Sequence, residues 1–215
     1  MSKKVLIIDD HEIVLAGLRK LFEQQQDIDI AGEFVTAETA LSFMRDHQDI
    51  DVVLMDIYMQ GMGGLAATQQ IVQQNSQTKV IVFTASKDDI YPIQFLKAGA
   101  YGYLTKDCGM KEVLKAIEAV TQGKRYLSSE VAQQVALARF DERDSPFENL
   151  SERELQVMLM ITQGYKAMQI AEHLAINSKT VNTYRYRIFQ KLNVKSDVEL
   201  THMAIRYGMI ERQTH

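Results

Sequence analysis

One cysteine, Cys108, in 215 residues rules out an intramolecular disulfide framework. The five histidines show neither HxxxH spacing nor a CxxC partner, so no zinc signature is present, and Cys108 and the histidines are read as structural. No apolar run approaches the roughly 18 residues that a membrane-spanning helix needs. Met-Ser-Lys-Lys leads into only four apolar residues before Asp9 and Asp10, which is too short for a secretory leader; no membrane association is expected, and the protein is expected to be cytoplasmic. Excess positive charge is lacking too. The chain holds 24 Lys and Arg against 28 Asp and Glu, a net charge of -4 that, taken over the whole chain, argues against nucleic acid as a ligand. Only two prolines occur. What remains is ordinary globular composition, 46% hydrophobic and 24% charged, with length for one large domain or two small ones.

Short apolar, β-branched runs recur at Val5 to Ile8, Ile28 to Ala31, Val52 to Met55, Val80 to Phe83 and Gly102 to Leu104. Four of them lack in-out alternation, as strands of a parallel sheet do when both faces are covered, and each gap is long enough for a crossover helix. The gaps carry helical spacing, for example Ile13, Leu18, Leu21 and Phe22, or Val113, Leu114, Ile117 and Val120. The fold class is α/β, five βα units with helices on both faces, followed by an all-α domain. After Gly123 no further strand is expected. Leu127 to Leu137 reads as a helix, and Arg139 to Glu148, holding Pro146, reads as a charged linker. The expected division is 1–123 for the first domain, 124–148 for a linker containing a helix, and 149–215 for four short helices.

Charge divides with this architecture. Residues 1–123 hold 11 basic and 17 acidic side chains, net -6; residues 124–148 hold 4 and 5, net -1; residues 149–215 hold 9 and 6, net +3. An acidic first half and a basic second half point to two different ligands.

In an open parallel sheet, ligands bind at the carboxyl ends of the strands. Those ends carry Asp9 and Asp10, Asp56, Thr84 and, just beyond the fifth strand, Lys106. With strand order 2-1-3-4-5, the first and third strands are neighbours and the three carboxylates converge. Crowded carboxylates repel, and a hard divalent cation with oxygen ligands, best Mg2+, compensates them. A carboxylate beside such an ion is a nucleophile for a phosphoryl group, with a lysine and a hydroxyl to hold the transferred oxygens. Singly, each residue also has a plain role as a helix cap, turn former or surface charge.

The motifs LIIDDH, LMDIYMQGMGG, VFTAS and YLTKD, in this order and spacing, resemble the receiver domain (flavodoxin-like) of two-component response regulators over residues 4 to about 123. The resemblance implies that Asp56 accepts phosphate from a sensor histidine kinase. It also implies that Asp9, Asp10, Asp56 and the Tyr58 carbonyl hold Mg2+, and that Thr84, Lys106 and Tyr103 are the switch hydroxyl, the phosphate-pairing lysine and the switch aromatic. Tyr103 is expected to turn inward on phosphorylation, a change expected to release the DNA-binding domain and to favour dimeric promoter binding. The family usually has Met-Pro after the acceptor; here Met59 is followed by Gln60, which frees a φ angle and adds an N–H, so altered loop mobility and phosphoryl lifetime are expected.

In the second domain Ser151 and Glu154 make a capping box. Ala167 to Tyr186 then reads as a short helix, the tight connection Ala175-Ile-Asn-Ser and a longer helix from Ser178, a helix-turn-helix. On the longer helix Val181, Tyr184, Ile188 and Leu192 face inward, while Lys179, Asn182, Thr183, Tyr186 and Gln190 share the opposite face, flanked by Arg185, Arg187 and Lys191. No acid occurs from Ser178 through Ser196, a pattern that suits the major groove of double-stranded DNA. An ordinary solvated helix face usually mixes charge signs.

The segment LSERELQVMLMITQG…IAEHL…SKTVNTYRYRIFQKLNVKS resembles the LuxR-type DNA-binding domain over roughly residues 146 to 211. With a receiver this gives a response regulator of the NarL/FixJ class, and VNTYRYRIFQKLNV and SDVELTHMAIR look like its GacA/UvrY branch. The resemblance implies base contacts from Asn182, Thr183 and Tyr186, and backbone contacts from Lys179, Thr180, Arg185, Arg187 and Lys191. It further implies a homodimer when active and action through genes for small regulatory RNAs. Lys166-Ala-Met-Gln replaces the family's usual Ser-Asn-Lys-Glu, which alters the first of the two helices. Two other readings are an aspartyl-nucleophile phosphatase and a phosphorylation-independent DNA-binding protein. The first wants a second Asp two residues after Asp56, where Tyr58 stands, so an enzyme is not expected.

Overall fold

The computed structural model describes residues 2–59, 61–85, 90–140, 146–207 and 209–210, and divides into two compact units, Met1–Ala138 and Arg139–His215. The first unit alternates strands and helices: β1 Lys3–Ile8, α1 Glu12–Phe22, β2 Ile28–Phe34, α2 Ala37–Asp46, β3 Val52–Met55, α3 Gly64–Gln74, β4 Lys79–Thr84, α4 Ile90–Lys97, β5 Gly102–Thr105, α5 Met110–Thr121, β6 Tyr126–Leu127 and α6 Ser129–Phe140. The sheet order is β2-β1-β3-β4-β5-β6 with every pair parallel. The expected order 2-1-3-4-5 is present.

Strand pleating sorts the core into two layers. Val5 and Ile7 of β1, Val52 and Leu54 of β3, and Ile81 and Phe83 of β4 pack with Leu15, Leu18 and Phe22 of α1 and Val113, Ile117 and Val120 of α5. The alternate residues Leu6, Ile8, Val53, Met55 and Val80 pack with Ala40, Leu41 and Met44 of α2 and Ala67 and Ile71 of α3. Both faces of the central strands are therefore dry, which is why those stretches read as unbroken apolar runs.

The structure adds a strand that periodicity did not predict. Tyr126 and Leu127 pair with Gly102 and Tyr103 on the open edge of β5, and Ser128 N–H donates to the Tyr103 carbonyl at 3.3 Å. A two-residue strand leaves no period to read; the unpaired edge of β5 makes it. Val131 of α6 is buried, and this stretch lies within the first compact unit, Met1–Ala138.

The second unit begins with a 3-10 turn, Pro146–Asn149, followed by α7 Glu152–Thr162, α8 Ala167–His173, α9 Ser178–Leu192 and α10 Asp197–Arg206. Its core is Phe147, Leu155, Met158, Leu159, Ile170, Val181, Ile188, Leu192, Leu200 and Ala204. Four helices were expected, and each starts on a polar cap or a short hydrogen-bonded turn. Ser151 accepts from Glu154 N–H while Glu154 accepts from Ser151 N–H at 2.8 Å, completing the capping box. Asn177 caps α9 and Ser196 caps α10. Between α8 and α9 the chain reverses through Ala175, whose φ of 52° is left-handed, and Ile176 N–H returns to the Ala171 carbonyl at 2.9 Å. No helix among the described residues is long and apolar enough to cross a membrane.

Candidate functional site

Sheet register brings the strand-end residues together. Ile8 and Met55 are direct partners, so Asp9 and Asp56 leave neighbouring strands side by side, and Asp56 N–H donates to the Ile8 carbonyl at 2.9 Å. On the other side Thr84 pairs with Thr105, and Lys106 N–H donates to the Thr84 carbonyl at 2.7 Å, which aims the lysine back across β4. Its Nζ lies 2.6 Å from Asp9 Oδ2 and 3.0 Å from Asp56 Oδ2. Asp56 Oδ1 accepts from Ile57 N–H at 2.8 Å. Asp9, Asp56 and Thr84 are buried.

The helix that follows must come close to this loop. Gly64 opens α3, and a β-carbon there would run into the Asp56 carbonyl oxygen, so the absence of a side chain lets α3 start against the site. Tyr58 is half-buried in the loop between them. Gln60 lies outside the described residues.

Charge crowding leaves its mark on two carboxyls. Burial pushes Asp56 above its ordinary range, with Asp9 adding like-charge repulsion and Lys106 opposing both. Burial likewise raises Asp10, where His11 is the largest opposing influence. Three carboxyls held near one another, Asp9 and Asp56 buried and Asp10 partly so, are costly to leave charged together and fit a hard divalent cation such as Mg2+.

The sign of the linkage follows. A carboxyl raised on folding favours the native state at low pH and disfavours it as pH rises through the folded value. Neutral Asp10→Asn should therefore melt about 2–4 °C above the parent near pH 7 in a chelator. That gap should close as pH falls toward about 4, and saturating Mg2+ should narrow it by stabilising the parent. Scanning calorimetry across pH checks this; a variant that melts lower in the chelator contradicts it.

Tyr103 is buried at 1% exposure, with its ring edge-on to Phe95 at 6.2 Å. The β6 pairing holds the backbone of Tyr103 and the Phe95 ring holds its side chain. His11, read as structural, instead stands in the acidic cluster: its Nδ1 is 2.9 Å from Asp10 Oδ1 and 3.1 Å from Asp9 Oδ1. The signal for it was adjacency alone, a histidine directly after two strand-end acids and at the N-cap of α1.

The second unit presents α9. Val181, Ile188 and Leu192 are buried, whereas Lys179, Asn182, Thr183, Tyr186, Arg187 and Gln190 are exposed on the opposite side. Gln190 Nε2 donates to Tyr186 Oη at 2.6 Å and Thr183 Oγ1 to the Lys179 carbonyl at 3.0 Å, so part of the polar face is held in place. Thr180 is half-buried in the first turn, its N–H bonded to the Asn177 carbonyl. Two expected phosphate contacts are engaged within the unit. Arg185 Nη2 pairs with Asp197 Oδ2 at 2.8 Å, and Lys191 Nζ pairs with Glu154 Oε2 at 2.6 Å and with the Asn149 carbonyl at 3.1 Å. Both partners lie outside α9, in segments the helical period does not reach. At the substituted start of α8, Lys166 N–H donates to Gln169 Oε1 at 2.9 Å and Met168 is 79% exposed.

A parallel sheet with clustered acids at its carboxyl edge, joined to a helix-turn-helix unit, defines a signal-receiving regulator. The chain matches the family "Response regulator receiver domain" over residues 5–118 and "Bacterial regulatory proteins, luxR family" over residues 148–204. It belongs to the two-component response regulators that carry a receiver domain and a LuxR-family DNA-binding domain. It is 47% identical to the response regulator UvrY of Escherichia coli (strain K12), over 98% of this chain and 97% of that one. Against the response regulator GacA of Pseudomonas aeruginosa (strain PAO1) identity is 43%, over 97% and 98%. Among solved structures it resembles Salmonella typhimurium RcsB, a response regulator studied for DNA interaction, with TM-score 0.62, 25% identity and coverage of 94% and 98%. The RcsB–DNA complex gives TM-score 0.60 at 26% identity, with the same coverage.

Proposed function

We propose that this chain is a transcription regulator switched by phosphorylation of Asp56, with a sensor histidine kinase as phosphodonor. The observation that carries the reading is the convergence of Asp9, Asp10 and Asp56 at adjacent strand ends with Lys106 bridging two of them. Asp9, Asp10, Asp56 and the Tyr58 carbonyl would hold Mg2+, which when bound neutralises charge on the phosphoryl oxygens. An Asp56 carboxylate oxygen forms the new bond to phosphorus while the bond to the donor's imidazole nitrogen breaks and its electron pair leaves with that ring. Lys106, freed from Asp56, pairs with a phosphoryl oxygen, and the Thr84 hydroxyl donates to another. The added charge of about -1.5 to -2 is what the rest of the molecule responds to. Thr84, Lys106 and Tyr103 respond to that charge, and the surface around the last two strands and helices of the receiver repacks with them.

The working division is the receiver, 1–123, a connecting segment, 124–148, and the DNA-binding domain, 149–215. In the last, Asn182, Thr183 and Tyr186 read bases, and Lys179, Thr180 and Arg187 hold the backbone, joined by Arg185 and Lys191 when their acidic partners release them. Active protein binds two half-sites as a homodimer in the cytoplasm, and its targets include genes for small regulatory RNAs, as the resemblance to the GacA/UvrY branch implies. The relation to RcsB, solved as dimers on DNA, supports the dimeric form. Incubation with acetyl phosphate and Mg2+ tests the core of this. Labelling approaching one phosphate per chain is expected. Continuous phosphate release would instead indicate a phosphatase, and no uptake a phosphorylation-independent regulator.

A further inference from the structure

His11 stands in the acidic cluster, where its Nδ1 shares a hydrogen bond with Asp9 Oδ1. Its Nδ1 is 2.9 Å from Asp10 Oδ1, 3.1 Å from Asp9 Oδ1 and 3.9 Å from Asp56 Oδ2. A divalent ion with bonds of about 2.1 Å sets adjacent donor atoms about 3.0 Å apart and opposite ones about 4.2 Å apart. The first two separations match adjacent positions of such a shell, and the third falls between adjacent and opposite. Asp9, Asp10, His11 and Asp56 form one group whose ligand atoms all lie within 4.8 Å of one another.

The local backbone holds the ring there. His11 is the N-cap of α1, its side chain makes no cap hydrogen bond, and its N–H donates to Asp9 Oδ1 at 2.9 Å, which turns Nδ1 toward the acids. Lys106 takes Oδ2 of both Asp9 and Asp56, leaving Asp9 Oδ1 and Asp10 Oδ1 on the imidazole side. The ring is 60% exposed, so solvent and ions reach it.

We propose that His11 is a nitrogen ligand of the acidic pocket, so that the pocket selects late first-row transition ions such as Ni2+ and Co2+ over Mg2+. Magnesium takes oxygen donors and gains little from imidazole, whereas nitrogen donation strengthens along the series from Mn2+ to Ni2+. This rests on the reading of the pocket as a divalent-cation site and adds a ligand to it.

Titration calorimetry of the full chain with Mg2+ and with Ni2+ tests it, using the parent, His11→Ala and, as a control histidine outside the pocket, His47→Ala. The parent should bind Ni2+ more tightly than Mg2+. His11→Ala should lose at least about tenfold in Ni2+ affinity and change Mg2+ affinity less than about twofold, and His47→Ala should change neither. Pulsed electron paramagnetic resonance of Mn2+ supplies a direct readout: nitrogen-14 modulation in the parent, gone in His11→Ala with the ion still bound. No modulation in the parent, or a Ni2+ loss shared equally by His47→Ala, overturns the proposal while Mg2+ binding leaves the pocket intact. Absence of Mg2+ and Ni2+ binding in the parent overturns the pocket reading and the proposal together.

Discussion

Asp56→Asn protein incubated with acetyl phosphate and Mg2+ is expected to take up no phosphate above background, and its affinity for target DNA is expected to stay at the unphosphorylated level. The isosteric amide keeps the fold: it fills the same volume, still accepts from Ile57 N–H and leaves Lys106 paired to Asp9 at 2.6 Å. It lacks the negative oxygen needed to attack phosphorus. Near neutral pH the substitution also removes a carboxylate that burial disfavours, so the variant should melt no lower than the parent. That separates loss of chemistry from loss of structure. Gel-shift titrations with and without acetyl phosphate measure the coupling. If Asp56→Asn bound as tightly as labelled parent, with the same salt dependence, phosphorylation would not be the switch.

The second expectation concerns two lysines on one helix that do different work. Lys179 is exposed in the first turn of α9, and Lys179→Ala should weaken binding to all DNA sequences and lower the slope of log affinity against log salt by about 1. Lys191 lies in the last turn and anchors the start of α7 through Glu154, which is buried. Lys191→Ala removes the cation from that buried carboxylate, which keeps its hydrogen bond from Ser151 N–H, and should cost the second unit about 1–3 kcal/mol of stability. The salt slope of the remaining folded protein should change little. Equal changes in slope from both variants would show that Lys191 leaves Glu154 to meet phosphate. The pH behaviour follows from the same pair. Burial pushes the Glu154 carboxyl up, but hydrogen bonds from Lys191 and Ser151 outweigh it and bring it below its ordinary range. The stabilisation is therefore present above about pH 4.3 and is lost as pH falls through the lowered folded value. Glu154→Gln should lack that acid-side loss.

The receiver fold was legible because its signals are local and repeated. Unbroken β-branched runs mark strands covered on both faces, the amphipathic spacings between them mark crossovers, and a polar residue at each strand's carboxyl end marks the ligand edge. The helix-turn-helix was legible for a similar reason: capping residues and a polar face opposite Val181, Ile188 and Leu192 all lie within one short stretch. The net charge of -4 was misleading only as an average, since the acidic and basic halves separate once the domains do.

By itself, then, the sequence determined the order of the five βα units and the four helices after them, the two-part architecture and which side chains leave the strand ends. Tertiary structure decided which of them meet. Asp56 lies beside Asp9 because Ile8 and Met55 fall in register, a pairing between residues far apart in the chain that no local period encodes. The strand β6 exists because β5 had a free edge, and the buried Tyr103 ring meets Phe95, a residue of another element. Arg185 and Lys191 looked like free cations on α9 until folding brought Asp197 and Glu154 within ion-pair reach. Local sequence sets backbone preference and the direction of a side chain. The partner that side chain finds depends on contacts across the fold, and those form only when the whole chain packs.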